Sequence, residues 1–291
     1  MERKQRTIRT SQSCDGIGLH TGDETTITFH PAPEDFGIRF IRSDIPNCLE
    51  VKADIDHVVD ISRGTTIEEN DIRIHTVEHA LAAVSGLRLD NILIELNGKE
   101  PPVMDGSAKD FVECLIKAGV KTQNKERKVL EITRAVNYTN SYRDIDIHVI
   151  PSDRFRITFM VEYPLPALGT QYEAIYNMEE DFSFEVAPAR TFCFLSEVEM
   201  LKEQGLIKGG GLENAVVIID KEIDVINKLL TLYSDNLDTL HDVWRTAIYG
   251  GSEFGSPGMV SKDTNLRKKL LQFSIESIKN KSEKNNPYAE F

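Results

Sequence analysis

The stretch His75-Thr76-Val77-Glu78-His79 opens an apolar run, Ala80-Leu81-Ala82-Ala83-Val84, that stops at Ser85-Gly86. Its spacing predicts a helix from His75, with residues 75 and 79 one turn apart on one face and Glu78 flanking both. Imidazole nitrogen suits zinc, and a carboxylate beside the metal can take a proton from a bound water. The alternative is a packed or capping histidine beside a solvated glutamate. Two histidines and a glutamate within five residues at a helix mouth favour the metal site.

Around this helix, 291 residues are enough for two ordinary domains, and 40% hydrophobic content is that of a globular chain. A net charge of −13 argues against a nucleic-acid partner, since phosphate binding needs a basic surface. Cys14, Cys48, Cys114 and Cys193 lie far apart with no C-x-x-C pair, so neither a disulfide framework nor a cysteine zinc knot is expected. The longest aliphatic run, Ala215 to Ile219, is too short to span a bilayer, and the basic N-terminus has no apolar segment after it. The expectation is a cytoplasmic protein without a transmembrane segment.

Upstream, Gly16-Ile17-Gly18-Leu19-His20-Thr21-Gly22 is a glycine-rich turn in which His20 is a candidate contact. Thr25 to His30 alternates as a strand; a second strand, Gly37 to Arg42, follows at hairpin distance, and a third is expected around Val51 to Val59. Downstream of the helix, Asn91 to Leu96 reads as a half-buried strand ended by Asn97-Gly98 and Pro101-Pro102. Met104-Asp105-Gly106-Ser107-Ala108 leads into a helix with Phe111, Cys114, Leu115 and Ala118 on one face and Gly119 as its C-cap. Asp105 and Ser107 are either catalytic or a turn and N-cap pair. The polar segment Lys121 to Lys128 reads as a domain linker, after which strands begin again. Ala189-Arg190-Thr191-Phe192-Cys193-Phe194 then runs into a helix that ends at Gly205, followed by Gly209-Gly210-Gly211. The second half repeats strands before helices, so the fold class is α+β with two domains of similar layout.

Six motifs fall in order: GIGLHTG, I-H-T-V-E-H-x-L-A-A, D-N-I-x-I-E, P-x-M-D-G-S-A, A-R-T-F-x-F and G-L-x-K-G-G-x-L-x-N-A. From about residue 5 to 220 the chain resembles the UDP-3-O-acyl-N-acetylglucosamine deacetylases, zinc amidases of lipid A biosynthesis. The resemblance implies two similar domains, 1–126 and 127–291, each a sheet packed on a helix pair, with the active site between them. It implies Glu78 as general base, His79 as a zinc ligand, Thr191 at the oxyanion and Phe192 against the sugar, with His20 as a further substrate contact. It does not make His75 a ligand. Residues Pro164 to Gly169 would wall a passage for the acyl chain. The implied partner is a UDP-linked acylated amino sugar, bound by a monomer with Zn2+ as cofactor.

The same resemblance implies an H-K-x-x-D run carrying two further zinc ligands and an S-G-H run carrying a catalytic histidine, and neither occurs after Asp220. His241 is the one histidine beyond residue 148, and Arg245 stands four residues after it. Asp238 and His241, spaced i, i+3, are the candidate substitute ligands; the alternative is an exposed acidic segment with an incidental histidine. Three readings therefore stand beside one another: a zinc deacetylase, a non-catalytic paralogue or damaged copy that keeps the substrate cleft, and a zinc peptidase of the H-x-x-E-H type. The last gives no reason for the other five motifs.

Overall fold

A computed structural model describes residues 4–47, 49–163 and 168–218. Asp238, His241 and the proposed passage residues 164–167 lie outside the described residues.

The fold is mixed α+β. The first part holds β1 (Lys4–Ile8), β2 (Gln12–Ile17), β3 (Glu24–Pro31), β4 (Ile38–Arg42), β5 (Val51–Lys52), β6 (Val58–Asp60), β7 (Thr66–Glu69) and β8 (Ile72–Ile74). It continues with α1 (Glu78–Gly86), β9 (Ile92–Leu96), α2 (Lys109–Ala118) and β10 (Val120–Glu126). Five strands form one sheet in the order β2-β3-β9-β4-β5. Period-two alternation decides its faces: Ile27, Phe29, Phe40, Ile92, Ile94 and Leu96 are fully buried, in one core cluster with Ala80, Ala83 and Val84 of α1 and Phe111 and Leu115 of α2. Phe29 meets Phe111 edge to face at 6.2 Å between centroids. On the other face several polar residues pair across strands, as Ser13 does with Thr28 and His30 with Glu95.

Several expectations need correcting. Strand β4 is not the hairpin partner of β3: β9 lies between them, antiparallel to β3 and parallel to β4. The strand expected over residues 51–59 is two short strands separated by a 3-10 turn at Ile55–His57. The polar segment after Gly119 is no linker but β10, which pairs antiparallel with β1 from Ile8↔Val120 to Lys4↔Glu126. Its side chains are almost all polar because a two-stranded ribbon leaves most of them to solvent, while its backbone is satisfied by β1 and, at Asn124 and Lys125, by the Glu34 carboxylate.

In the second part, β11 (Val136–Asn140) and β12 (Ile145–Val149) form one hairpin, and β13 (Ile157–Glu162) and β14 (Thr170–Ile175) another. Then come α3 (Met178–Asp181), a π-helical turn at Phe182–Val186, β15 (Phe192–Phe194), α4 (Leu195–Glu203) and β16 (Val216–Ile218), which runs parallel to β15. Phe182 belongs to the same core cluster as the first part. A Cβ on Gly86, the last residue of α1, would lie 2.1 Å from the Phe182 ring, so that glycine is what seats it.

Candidate active site

The helix carrying the central motif begins later than its periodicity predicts. Thr76 has φ +55, a left-handed conformation that a β-branched residue adopts at a cost of about 1–3 kcal/mol, and α1 starts at Glu78. His75 therefore stays with the strand side: its amide donates to the Lys99 carbonyl oxygen at 2.9 Å, and its Nδ1 is hydrogen-bonded to the Thr66 hydroxyl at 3.1 Å. The two histidines do not share a helix, which removes the H-x-x-E-H geometry that a peptidase needs.

Glu78 takes the first helical position, where the helix dipole favours a carboxylate. Its Oε2 accepts from the Thr65 amide at 2.8 Å. Gly64 leaves the other oxygen room, since a Cβ there would sit 3.1 Å from Oε1. His79 follows, and burial pulls its pKa below the usual histidine value while the carboxylates of Glu78 and Asp105 pull upward. The downward shift keeps the imidazole neutral near pH 7, the form that binds a metal.

Asp105 reaches His79 electrostatically from the Met104 to Ser107 turn. Its Oδ1 accepts from the Ser107 amide at 2.9 Å and from the Ser107 hydroxyl at 2.6 Å, and Ser107 Oγ in turn accepts from the Lys109 amide at 3.1 Å. This is the turn and helix-start arrangement. Gly106 is at φ +85, and a Cβ on it would lie 2.0 Å from the Asn214 carbonyl oxygen.

That turn anchors Thr191. The Thr191 amide donates to the Gly106 carbonyl oxygen at 2.7 Å, and its own carbonyl oxygen accepts from the Val216 amide at 2.9 Å. Arg190 donates from Nε to the Asp105 carbonyl oxygen at 2.6 Å and from Nη2 to that of Leu212 at 2.9 Å. The Thr191 backbone is thus fixed at both ends, to the turn of Gly106 and to β16. Phe192, next along β15, packs edge to face with Tyr163 and Phe194, each at 5.9 Å between centroids.

The glycine-rich loop closes on the same region. The Gly209 amide donates to the Leu19 carbonyl oxygen at 3.1 Å, and a Cβ on Gly209 would lie 2.2 Å from the Gly18 carbonyl oxygen. Both ring nitrogens of His20 are buried without a hydrogen-bond partner, an arrangement that costs free energy unless a ligand supplies one.

Sequence reasoning missed Glu100. It is 1% exposed, and its Oε1 accepts from the His20 amide at 2.9 Å, the Thr21 amide at 2.8 Å and the Thr21 hydroxyl at 2.9 Å. Its Oε2 accepts from the Thr76 hydroxyl at 3.1 Å. A glutamate between a turn and two prolines gives no periodic signal, so only the fold reveals what it holds.

Among the described residues no group of three or more His, Cys, Asp or Glu is placed to hold a metal. A neutral, half-buried His79 beside a carboxylate fits one vertex of a zinc site and its base; Asp238 and His241 fall outside the described residues. Among the described residues, no helix is long and apolar enough to cross a membrane.

The sequence model of the UDP-3-O-acyl N-acetylglycosamine deacetylase family matches residues 5–236, which stops short of Asp238 and His241. A bifunctional enzyme LpxC/FabZ of Chlorobaculum tepidum is 50% identical over 220 residues, 76% of this chain and 47% of that protein. The UDP-3-O-acyl-N-acetylglucosamine deacetylase of Bdellovibrio bacteriovorus is 40% identical over 214 residues, 74% of this chain and 70% of that protein. That of Myxococcus xanthus is 39% identical over 223 residues, 77% of this chain and 70% of that protein. The matched stretch thus spans about half the length of the bifunctional relative and 70% of the two deacetylases. With a family match over residues 5–236 and relatives at this identity, the chain belongs to the UDP-3-O-acyl N-acetylglycosamine deacetylase family.

Proposed function

We propose that this protein removes the N-acetyl group from UDP-3-O-acyl-N-acetylglucosamine, a step of lipid A biosynthesis, as a zinc-dependent monomer in the cytoplasm. The observation that carries the reading is Thr191, fixed through Gly106 to the turn of Asp105, whose charge acts on His79, the neighbour of Glu78.

Zinc bound at His79 would polarise the amide carbonyl and lower the pKa of a water to about 7. Glu78, with one oxygen engaged by Thr65, accepts the proton of the attacking water. As water adds to the amide carbon, charge develops on the former carbonyl oxygen. The Thr191 hydroxyl has no hydrogen-bond partner among the described residues and is the donor for it. When the C–N bond breaks, Glu78 returns the proton to the amine nitrogen, leaving acetate and the free amino sugar. Phe192 takes an apolar face of the sugar, and His20 offers the substrate its unpaired ring nitrogens. Asp238 and His241 are the chain's candidates for the remaining ligands. Domains 1–126 and 127–291, each a sheet on a helix pair, would put this site between them; hydrogen bonds from Thr191 and Arg190 to the 105–106 turn cross that boundary.

A second reading, a non-catalytic copy that keeps the cleft, is favoured by the missing H-K-x-x-D and S-G-H runs, since catalytic zinc normally has three protein ligands. One substrate separates the two. Calorimetry measures affinity for UDP-3-O-acyl-N-acetylglucosamine, and mass spectrometry detects the free amine. Binding with zinc-dependent product supports the deacetylase; binding alone supports the copy; neither would refute both.

A further inference from the structure

We propose that Glu100 is a positioning residue that sets the glycine-rich loop bearing His20 and the left-handed pivot Thr76, just ahead of Glu78 and His79, in one fixed relation. The inference rests on the deacetylase reading for what those residues do, but its geometry stands apart from it.

Glu100 is buried at 1% exposure, and no lysine or arginine forms an ion pair with it among the described residues. A buried carboxyl group without a cation is held only if its acceptor capacity is filled, and here four donors fill it. The donors come from two places. Three belong to His20 and Thr21 at the tip of the glycine-rich loop, and the fourth is the hydroxyl of Thr76. Gly18 admits the carboxyl group, since a Cβ there would lie 2.3 Å from Glu100 Oε1. The backbone of Glu100 is tied as well, its carbonyl oxygen accepting from the Thr25 hydroxyl at 3.1 Å.

Thr76 gives the arrangement its consequence. At φ +55 it turns the chain away from the end of β8, so that the Val77 amide meets the Thr65 carbonyl oxygen at 3.1 Å and the Glu78 carboxylate meets the Thr65 amide at 2.8 Å. A β-branched residue leaves this conformation unless something holds it, and among the described residues its one side-chain hydrogen bond runs to Glu100. Releasing that bond rotates the first turn of α1 and displaces Glu78, where about 1 Å of misplacement can cost on the order of 100-fold in rate.

The test uses the full chain and separates a pivot from a packing role. Thr76→Val keeps shape and branching but loses the hydroxyl, so kcat should fall about 10- to 100-fold with KM nearly unchanged. Thr76→Gly removes more buried atoms but takes a positive φ freely, so kcat should recover toward wild type. Glu100→Ala should lower kcat and also raise KM, because it frees the His20 loop. Equal or better activity of Thr76→Val than Thr76→Gly would overturn the inference, as would unchanged constants in Glu100→Ala. If Glu100→Ala does not fold, the Thr76 pair decides alone. If the wild type shows no turnover, the deacetylase reading fails and amide hydrogen exchange decides the inference instead. Thr76→Val should then speed exchange at Val77 while Thr76→Gly does not, and equal protection of Val77 in both variants would overturn it.

Discussion

The amide of Thr191 donates to the carbonyl oxygen of Gly106 across 2.7 Å, joining the residue proposed to hold the oxyanion to the turn whose Asp105 acts on His79. Two motifs separated by more than eighty residues are thus one local structure. Gly106 is the tightest point in it. Gly106→Ala would put a Cβ 2.0 Å from the Asn214 carbonyl oxygen on a backbone at φ +85. A loss of at least about 2 kcal/mol of stability is expected from the combined clash and strain. Urea denaturation checks it, and wild-type stability would show that the 105–107 turn yields where the contacts say it cannot.

Thr191→Val separates the hydroxyl from the backbone role. The backbone bonds to Gly106 and Val216 do not involve the side chain, so folding should be preserved. Removal of an oxyanion donor should lower kcat about 100-fold with little change in KM. A rise in KM alone would mean that Thr191 binds substrate rather than its transition state.

His75 predicts a pH effect. Burial is the main cause that sets its pKa below the ordinary value; Glu100 opposes the shift, while Arg73, His20 and Lys99 add to it. The unfolded chain then takes up its proton first as pH falls. Stability that is complete above about pH 6.5 should be lost as the pH drops toward the lower folded value. In His75→Gln the decline of the denaturation midpoint between pH 8 and 5 should be shallower than in wild type. Parallel curves would rule out His75 as a contributor.

Metal content tests the ligand assignment. Zinc measured by elemental analysis after dialysis should fall in His79→Gln, because the half-buried, neutral imidazole of His79 is the one proposed ligand among the described residues. A separate His241→Gln variant assigns the second position: zinc content equal to wild type would remove residue 241 from the site.

Much of the fold is legible in the sequence because burial there follows simple periods. The alternation of Thr25 to His30 and of Ile92 to Leu96 corresponds to strands with one buried face, and Phe111, Cys114, Leu115 and Ala118 do line the buried face of α2. Periodicity failed where a single backbone angle decides. Nothing in His75-Thr76-Val77 announces a left-handed threonine, so the helix was expected three residues too early. The polar residues of β10 give no apolar pattern, because β1 and Glu34 satisfy their backbone and solvent most of their side chains. Of the candidate site, Glu78, His79 and Thr191 stand in recognisable motifs. Glu100 does not, since its four donors come from residues 20, 21 and 76, which only the folded chain brings to it.

The most direct test of the central claim is release of acetate from UDP-3-O-acyl-N-acetylglucosamine, followed with saturating substrate and added zinc, for the wild type and Glu78→Ala side by side. General-base catalysis by Glu78 predicts zinc-dependent release by the wild type that falls by a factor of about 100 to 10,000 in the variant. Substrate binding with no release from either protein, or equal release from both, would contradict it.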